Sequence, residues 1–287
     1  MPDFKFVQNP ATKEWVIIDP RRSKRPNVAK EKVSVCPFCE GQEKDEEEAY
    51  RVPSNVILSK AKDLDSSATP QNDKSDWLLR VVKNKFPFAP IHEIIIHSED
   101  HHKNFGELPV SQVELIFQTF RQRFQTHTGK GQVYIFHNRG ENAGESLPHP
   151  HTQLAVVPDH IVLQIPPLYT EPDVVTTKEF NIFCPSFSKW PNEVWVYPKD
   201  RYKTFGDITD NQITDISDIL TRLVQAFDKR LGHEFPFNFY IYPGQDWYLR
   251  FIPRLKSLGG FEVGTGVFIN SVVPKDLFAY LQKEFNV

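Results

Sequence analysis

One short run, Ser146-Leu147-Pro148-His149-Pro150-His151-Thr152-Gln153, carries two histidines and a glutamine ahead of the apolar stretch 154–157. Continued as a strand, its two-residue period puts His149, His151 and Gln153 on one face, with Pro150 and Thr152 on the other. Neutral imidazole is a good nucleophile at physiological pH, and its phosphoryl adduct is labile enough to be discharged. The preceding loop, 138–146, carries glycines whose backbone can approach a phosphate, and Ser146 adds a hydroxyl donor. The plain structural alternative is a histidine-rich turn entering a core strand.

A second constellation is Cys36-Pro37-Phe38-Cys39, followed by Glu40-Gly41. Two thiolates at this spacing supply half of a tetrahedral zinc site, with the other half coming from elsewhere in the chain. A redox pair would sit in a βαβ pattern with a helix starting at the first cysteine, and none follows. Cys184 stands alone and reads as a buried thiol. A third cluster, Arg21, Arg22, Lys24 and Arg25, fits either a solvated face or a phosphate clamp, since guanidinium presents a planar fork of donors to phosphate oxygens.

The elements that must position these groups follow from the pattern. A chain of 287 residues, 39% hydrophobic and 25% charged, has material for one large domain or two joined ones. A net charge of −3 gives no basic field for nucleic acid, so any phosphate must be held locally. No run approaches 18 apolar residues and the first residues do not form a leader, so no membrane partner and a cytosolic location are expected. Strands are expected at 4–8, 15–18, 52–58, 77–82, 132–136, 237–242 and 267–272. The polar segments 43–50 and 60–76 read as surface loops or insertions.

A repeat organises the middle of the chain. HEIIIHSEDHHKNFGEL at 92–108 matches NEVWVYPKDRYKTFGDI at 192–208 with an offset of 100 residues. Each copy reads as strand, loop and helix. The first helix is expected from Ser111, with Glu114 completing a capping box; the second follows Thr209, with Gln212 in that role; a closing helix starts at Lys275. Counting back from the prolines that end LAVVP and LRFIP sets Asp246 opposite His151, so only the first half has the histidine row.

In combination, the NPATKEWVIIDPRRSKRP opening, CPFC, NKFPF, Asp100-His101 before a helix, HNRGENAGES and HPHTQ make the chain resemble the galactose-1-phosphate uridylyltransferase branch of the histidine-triad superfamily, which includes nucleotide phosphorylases. The resemblance implies an α+β fold of two tandem histidine-triad-like halves, 1–170 and 171–287, with antiparallel sheets and packed helices, assembled as a homodimer. It implies His151 as the nucleophile, Gln153 and Ser146 as catalytic donors, and one structural Zn2+ on Cys36, Cys39, His101 and His149. Arg22, Arg25, Asn84, Asn138, Gly144, Phe261 and Glu262 fall at substrate-binding positions. The expected substrates are nucleotide sugars and sugar phosphates, most directly UDP-glucose and a hexose 1-phosphate; the alternative is a nucleotide-sugar (ADP-glucose-type) or dinucleoside polyphosphate phosphorylase, with inorganic phosphate as acceptor. A non-catalytic nucleotide-binding module is the remaining alternative, opposed by the intact His149, His151 and Gln153. Thr152 stands where uridylyltransferases carry glycine, and Leu147 where they carry asparagine. The glutamate and histidines of a second metal site are missing, since that region reads Asp246-Trp247-Tyr248, so no second metal is expected.

Overall fold

The computed structural model describes residues 4–24, 35–54 and 76–285. Arg25 and the residues expected as strand at 55–58 lie outside them, as does most of the polar segment 60–76. Strands β1 (Lys5–Gln8) and β2 (Trp15–Ile18) form a separate hairpin. The remaining strands are β3 (Glu48–Pro53), β4 (Trp77–Lys83), β5 (Ile91–Ile96), β6 (Gln132–Arg139), β7 (His151–Val157), β8 (Val175–Thr176), β9 (Phe180–Phe183), β10 (Val194–Pro198), β11 (Phe237–Ile241) and β12 (Leu249–Pro253). They make one antiparallel sheet of ten strands in the order β3-β4-β5-β7-β6-β11-β12-β10-β9-β8. The fold is α+β.

The first five strands of that order come from residues before 158 and the last five from residues after 174. The halves meet where β6 pairs with β11, Asn138 lying opposite Asn238. Helices α1 (Val110–His127) and α2 (Asp210–Leu231) lay their apolar stripes on one sheet face, in a single core running through both halves. Two short helices follow, α3 (Gly260–Thr265) and α4 (Pro274–Glu284).

The 100-residue offset is physical in the helices and their entry loops. Gln125 donates to the Gly206 carbonyl at 2.7 Å, and Gln225 donates to the Gly106 carbonyl at 2.8 Å. A Cβ on Gly106 would lie 2.9 Å from Val224 Cγ1, and one on Gly206 would lie 3.0 Å from the Phe124 ring. Each Phe-Gly pair therefore lets one half's entry loop approach the other half's helix. Gly106→Ala should overpack this contact and cost about 1–3 kcal/mol. Urea unfolding measures it, and a loss below about 0.5 kcal/mol would contradict the reciprocal packing.

In the strands the offset slips. Ile95 faces the helices, whereas Trp195 packs with Phe183, Tyr197 and Tyr248 on the other face. The placement of Asp246 opposite His151 fails for a related reason. In the ladder Ile96 opposes His151, while Val196 opposes Leu249, the first residue of β12. Asp246 precedes that strand, in a left-handed conformation with φ 65° and held by Arg201. Along β12, the face that bears His151 and Gln153 in β7 carries Arg250 and Ile252.

Other expectations are corrected by local chemistry. The acidic segment 43–50 enters the edge strand β3 at Glu48, whose carboxylate is bound by Arg51 and by the fully buried Arg80, both at 2.8 Å. Helix α1 starts at Val110 with Pro109 as N-cap and no side-chain cap bond, so Ser111 lies inside the first turn. The Thr209–Gln212 box does form. No strand spans 267–272: a short helix occupies 260–265, and Asn270 spends its side-chain amide on the carbonyls of Ser188 and Trp190.

Candidate active site and metal centre

Strand β7 is buried along its whole length, lying between β5 and β6. His149 precedes the strand instead of sharing it, and this separates its direction from that of His151. The Nε2–H of His149 donates to the Ser98 carbonyl at 2.8 Å, leaving Nδ1 as its lone-pair nitrogen. That Nδ1 lies 3.6 Å from Cys39 Sγ and 3.9 Å from Cys36 Sγ. His101 Nδ1 lies 3.2 Å from Cys39 Sγ. Two ligands on a tetrahedral zinc, at about 2.3 Å for sulfur and 2.05 Å for nitrogen, stand about 3.6 Å apart. The ligand atoms of Cys36, Cys39, His101 and His149 all lie within 4.8 Å of one another, and the four can bind one metal ion.

Burial, then the adjacent Cys36, pushes the Cys39 thiol up to about 11, and burial lowers His149 to about 4. A divalent cation among them would reverse the first effect by drawing out the thiolate, and it would be met by an imidazole already neutral.

His151 is 3% exposed. Its Nδ1 lies 2.8 Å from the His149 carbonyl, which can only accept, so Nδ1 carries the hydrogen and Nε2 the lone pair. The same residue that offers its side chain to the metal cluster thus fixes the tautomer of the next histidine with its backbone. Phe38, inside the cysteine knuckle and 2% exposed, packs edge-on against both rings, 6.1 Å from His149 and 5.4 Å from His151.

The loop before β7 is pinned from both halves. It turns through a 3-10 segment, Glu141–Ala143, with Gly144 in the left-handed region at φ 82°. Asn238 Nδ2 donates to the Ala143 carbonyl and to Asn138 Oδ1, each at 2.8 Å, and Arg254 holds Asn238 Oδ1 at 2.8 Å. Arg139 binds the Pro148 carbonyl at 3.2 Å and Glu234 at 3.1 Å. Asn138, Gly144 and Ser146 are thereby carried on one braced loop leading into His149. The sequence signal for Asn238 was the offset itself, which pairs it with Asn138.

Gln153, 4% exposed, places Oε1 3.0 Å from His92 Nε2, and Asn84 Nδ2 lies 3.2 Å from the same nitrogen. Arg22 donates to the Phe86 carbonyl at 2.7 Å and lies over the Phe88 ring, so it belongs to this group. Phe261 and Glu262 do not join it by any described bond. Phe261 is 55% exposed, and Glu262 accepts from Gly259 N–H and Lys256 within its own segment.

On the helix side of β7 lie two buried histidines to which the sequence assigned no role, because their partners are set by strand pairing and not by spacing along the chain. His97 shares a 2.8 Å hydrogen bond with Thr152 Oγ1, and His137 Nδ1–H donates to the His151 carbonyl at 2.9 Å. Burial is the first cause that drives both well below the usual histidine value, so both are neutral in the folded protein. Each gains a proton on unfolding below pH 6.5, so stability is complete above that pH and falls as pH drops below it. The expected slope is up to about 1.4 kcal/mol per pH unit for each ring. Denaturant titrations at pH 7.5 and 5 test this, and equal stabilities would contradict it; His97→Gln should reduce the slope.

Residues 89–156 match the family described as galactose-1-phosphate uridyl transferase, N-terminal domain. The ADP-glucose phosphorylase of Arabidopsis thaliana is 26% identical, over 94% of this chain and 90% of that protein. The galactose-1-phosphate uridylyltransferase of Thermotoga maritima is also 26% identical, over 96% of each. The crystal structure of the Arabidopsis phosphorylase with bound ADP-glucose superposes with a TM-score of 0.69 at 24% identity, covering 98% of this chain and 99% of that one. A uridylyltransferase structure superposes at 0.73 with 16% identity, covering 98% of both. The family match over residues 89–156, the relatives aligned along nearly the whole chain and the shared fold agree that the chain is similar to the galactose-1-phosphate uridylyltransferase family.

Proposed function

We propose that the protein transfers a nucleotidyl group through a covalent intermediate on His151, from a UDP-hexose to a hexose 1-phosphate. The observation that carries this is the bond from His151 Nδ1–H to the His149 carbonyl, which leaves Nε2 with the lone pair. Nε2 attacks the α-phosphorus of the donor; a P–N bond forms as the bond to the bridging oxygen breaks, and hexose 1-phosphate leaves with that electron pair. An acceptor phosphate oxygen then attacks phosphorus, and the P–N electrons return to Nε2. The ring never has to move its Nδ1 proton, and the carbonyl that holds it stabilises the positive charge of the adduct.

Gln153 and Ser146 donate to phosphoryl oxygens whose charge grows in each step. Asn138, Gly144, Asn84 and Arg22 hold the nucleotide, Arg25 belongs to the same basic segment, and Phe261 with Glu262 faces the sugar across the proposed dimer interface. Cys36, Cys39, His101 and His149 would hold one structural zinc, and ligation of His149 would keep the carbonyl that orients His151 in place. Residues 1–170 form the catalytic half and 171–287 the half that braces it, in a cytosolic homodimer.

A phosphorylase that uses inorganic phosphate as acceptor is the second reading. It is favoured by the Arabidopsis relative, named ADP-glucose phosphorylase. Isotope exchange decides between them. Exchange of label between UDP-glucose and glucose 1-phosphate without further acceptor, with transfer to galactose 1-phosphate, supports the transferase; net cleavage of the donor only when phosphate is supplied assigns the phosphorylase.

A further inference from the structure

Gln153 has a role in the proposed chemistry only if its amide faces the right way. A glutamine side chain ends in one acceptor oxygen and one donor nitrogen, and a growing negative charge on phosphorus-bound oxygen is stabilised by the nitrogen and repelled by the oxygen. Something must hold the oxygen away.

His92 is placed to do so. It lies on β5 opposite Ala155 of β7, one step diagonal from Gln153 and on the same face. It is 4% exposed and stacks against Phe88, with ring centroids 4.2 Å apart. Phe88 N–H points at His92 Nδ1 from 3.4 Å, which makes Nδ1 the acceptor and puts the hydrogen on Nε2. Nε2 is the atom 3.0 Å from Gln153 Oε1. Asn84 approaches the same Nε2 with its amide nitrogen, because its Oδ1 accepts from Phe86 N–H at 2.8 Å. That approach becomes a hydrogen bond only in the other tautomer, where Phe88 N–H meets a hydrogen-bearing Nδ1 and Gln153 has to turn over. The first arrangement satisfies the Phe88 and Gln153 contacts together.

We propose that His92 is a positioning residue for nucleotidyl transfer: its Nε2–H holds Gln153 Oε1, so that the Gln153 amide hydrogens face the transferring phosphoryl group. The inference rests on the reading of Gln153 as a phosphoryl donor. In this role His92 acts through Gln153 and is assigned no contact with a reacting atom.

The test is a double-mutant cycle on the rate at which His151 is loaded from UDP-glucose, followed by rapid quench. His92→Phe should load about 10–100-fold more slowly than the unaltered protein. His92→Gln, whose amide nitrogen replaces Nε2–H, should load within about fivefold of it, with metal content and Tm measured alongside both. His92→Phe combined with Gln153→Ala should be no slower than Gln153→Ala alone, because the second change has already removed what His92 holds. Additive slowing in the double variant, or unaltered loading in His92→Phe, would overturn the proposal. A readout that needs no turnover accompanies it: the 15N shifts of His92 should report the Nε2–H tautomer, and an Nδ1–H tautomer would overturn the proposal even if the transfer reaction itself were a different one.

Discussion

His151→Ala should lower turnover by about 10⁴-fold or more and abolish retention of nucleotide on the protein, because no other group can form the P–N bond. Donor binding should change by less than about threefold, since the contacts assigned to the nucleotide lie on Arg22, Asn84, Asn138 and Gly144. The structural consequence should be small but measurable: the His149 carbonyl loses the 2.8 Å donor, a cost of about 1–3 kcal/mol. Steady-state kinetics, equilibrium binding and thermal unfolding on one preparation separate these effects. Residual turnover within tenfold of the unaltered enzyme would remove His151 from the mechanism.

Loss of the metal should be the second large effect. Cys39 sits 3.2 Å from His101 and 3.6 Å from His149, so Cys39→Ser removes the ligand that spans the two histidines. Metal content should fall from about one zinc per chain to near none, with stability lower by at least about 3 kcal/mol and Tm by roughly 6–12 °C. Loading of His151 should slow by about 10–100-fold, because the carbonyl orienting it belongs to a freed ligand residue. Metal analysis, calorimetry and quench kinetics check the three parts together. A metal-free variant with unchanged Tm and loading rate would mean that the cluster supports neither the fold nor the tautomer.

Much of this site was legible in the sequence because its chemistry is written in residue types at short spacing. Cys36-x-x-Cys39 and His149-Pro-His151 each announce themselves, and the structure brings the ligand atoms of the cysteines, His101 and His149 within 4.8 Å of one another. What spacing could not show was the division of labour inside the run. His149 was expected to share a strand face with His151. The strand instead begins at His151, so the side chain of His149 turns to the cysteines while its backbone turns to the next ring.

The residues that brace the site carried no assigned role for another reason. His92, His137, Arg139 and Asn238 lie in strands, and their meaning depends on which strand lies beside which. The pairings that matter join residues 61 and 100 positions apart, His92 to Gln153 and Asn138 to Asn238. Only the second could have been read from the repeat. Strand register set the limit again at Asp246: helices tolerate a constant offset, whereas a slip of one residue in a strand exchanges its faces. The largely apolar residues 267–272 read as a strand but lie outside the sheet, whose edge strands are β3 and β8.

The most direct test of the central claim is to mix the protein with UDP-glucose in the absence of acceptor, quench it, and map the modified peptide by mass spectrometry. An acid-labile uridylyl group on His151, formed together with one equivalent of glucose 1-phosphate and discharged by added galactose 1-phosphate, is the result expected. A group attached elsewhere, or no adduct with either UDP-glucose or ADP-glucose, would contradict it.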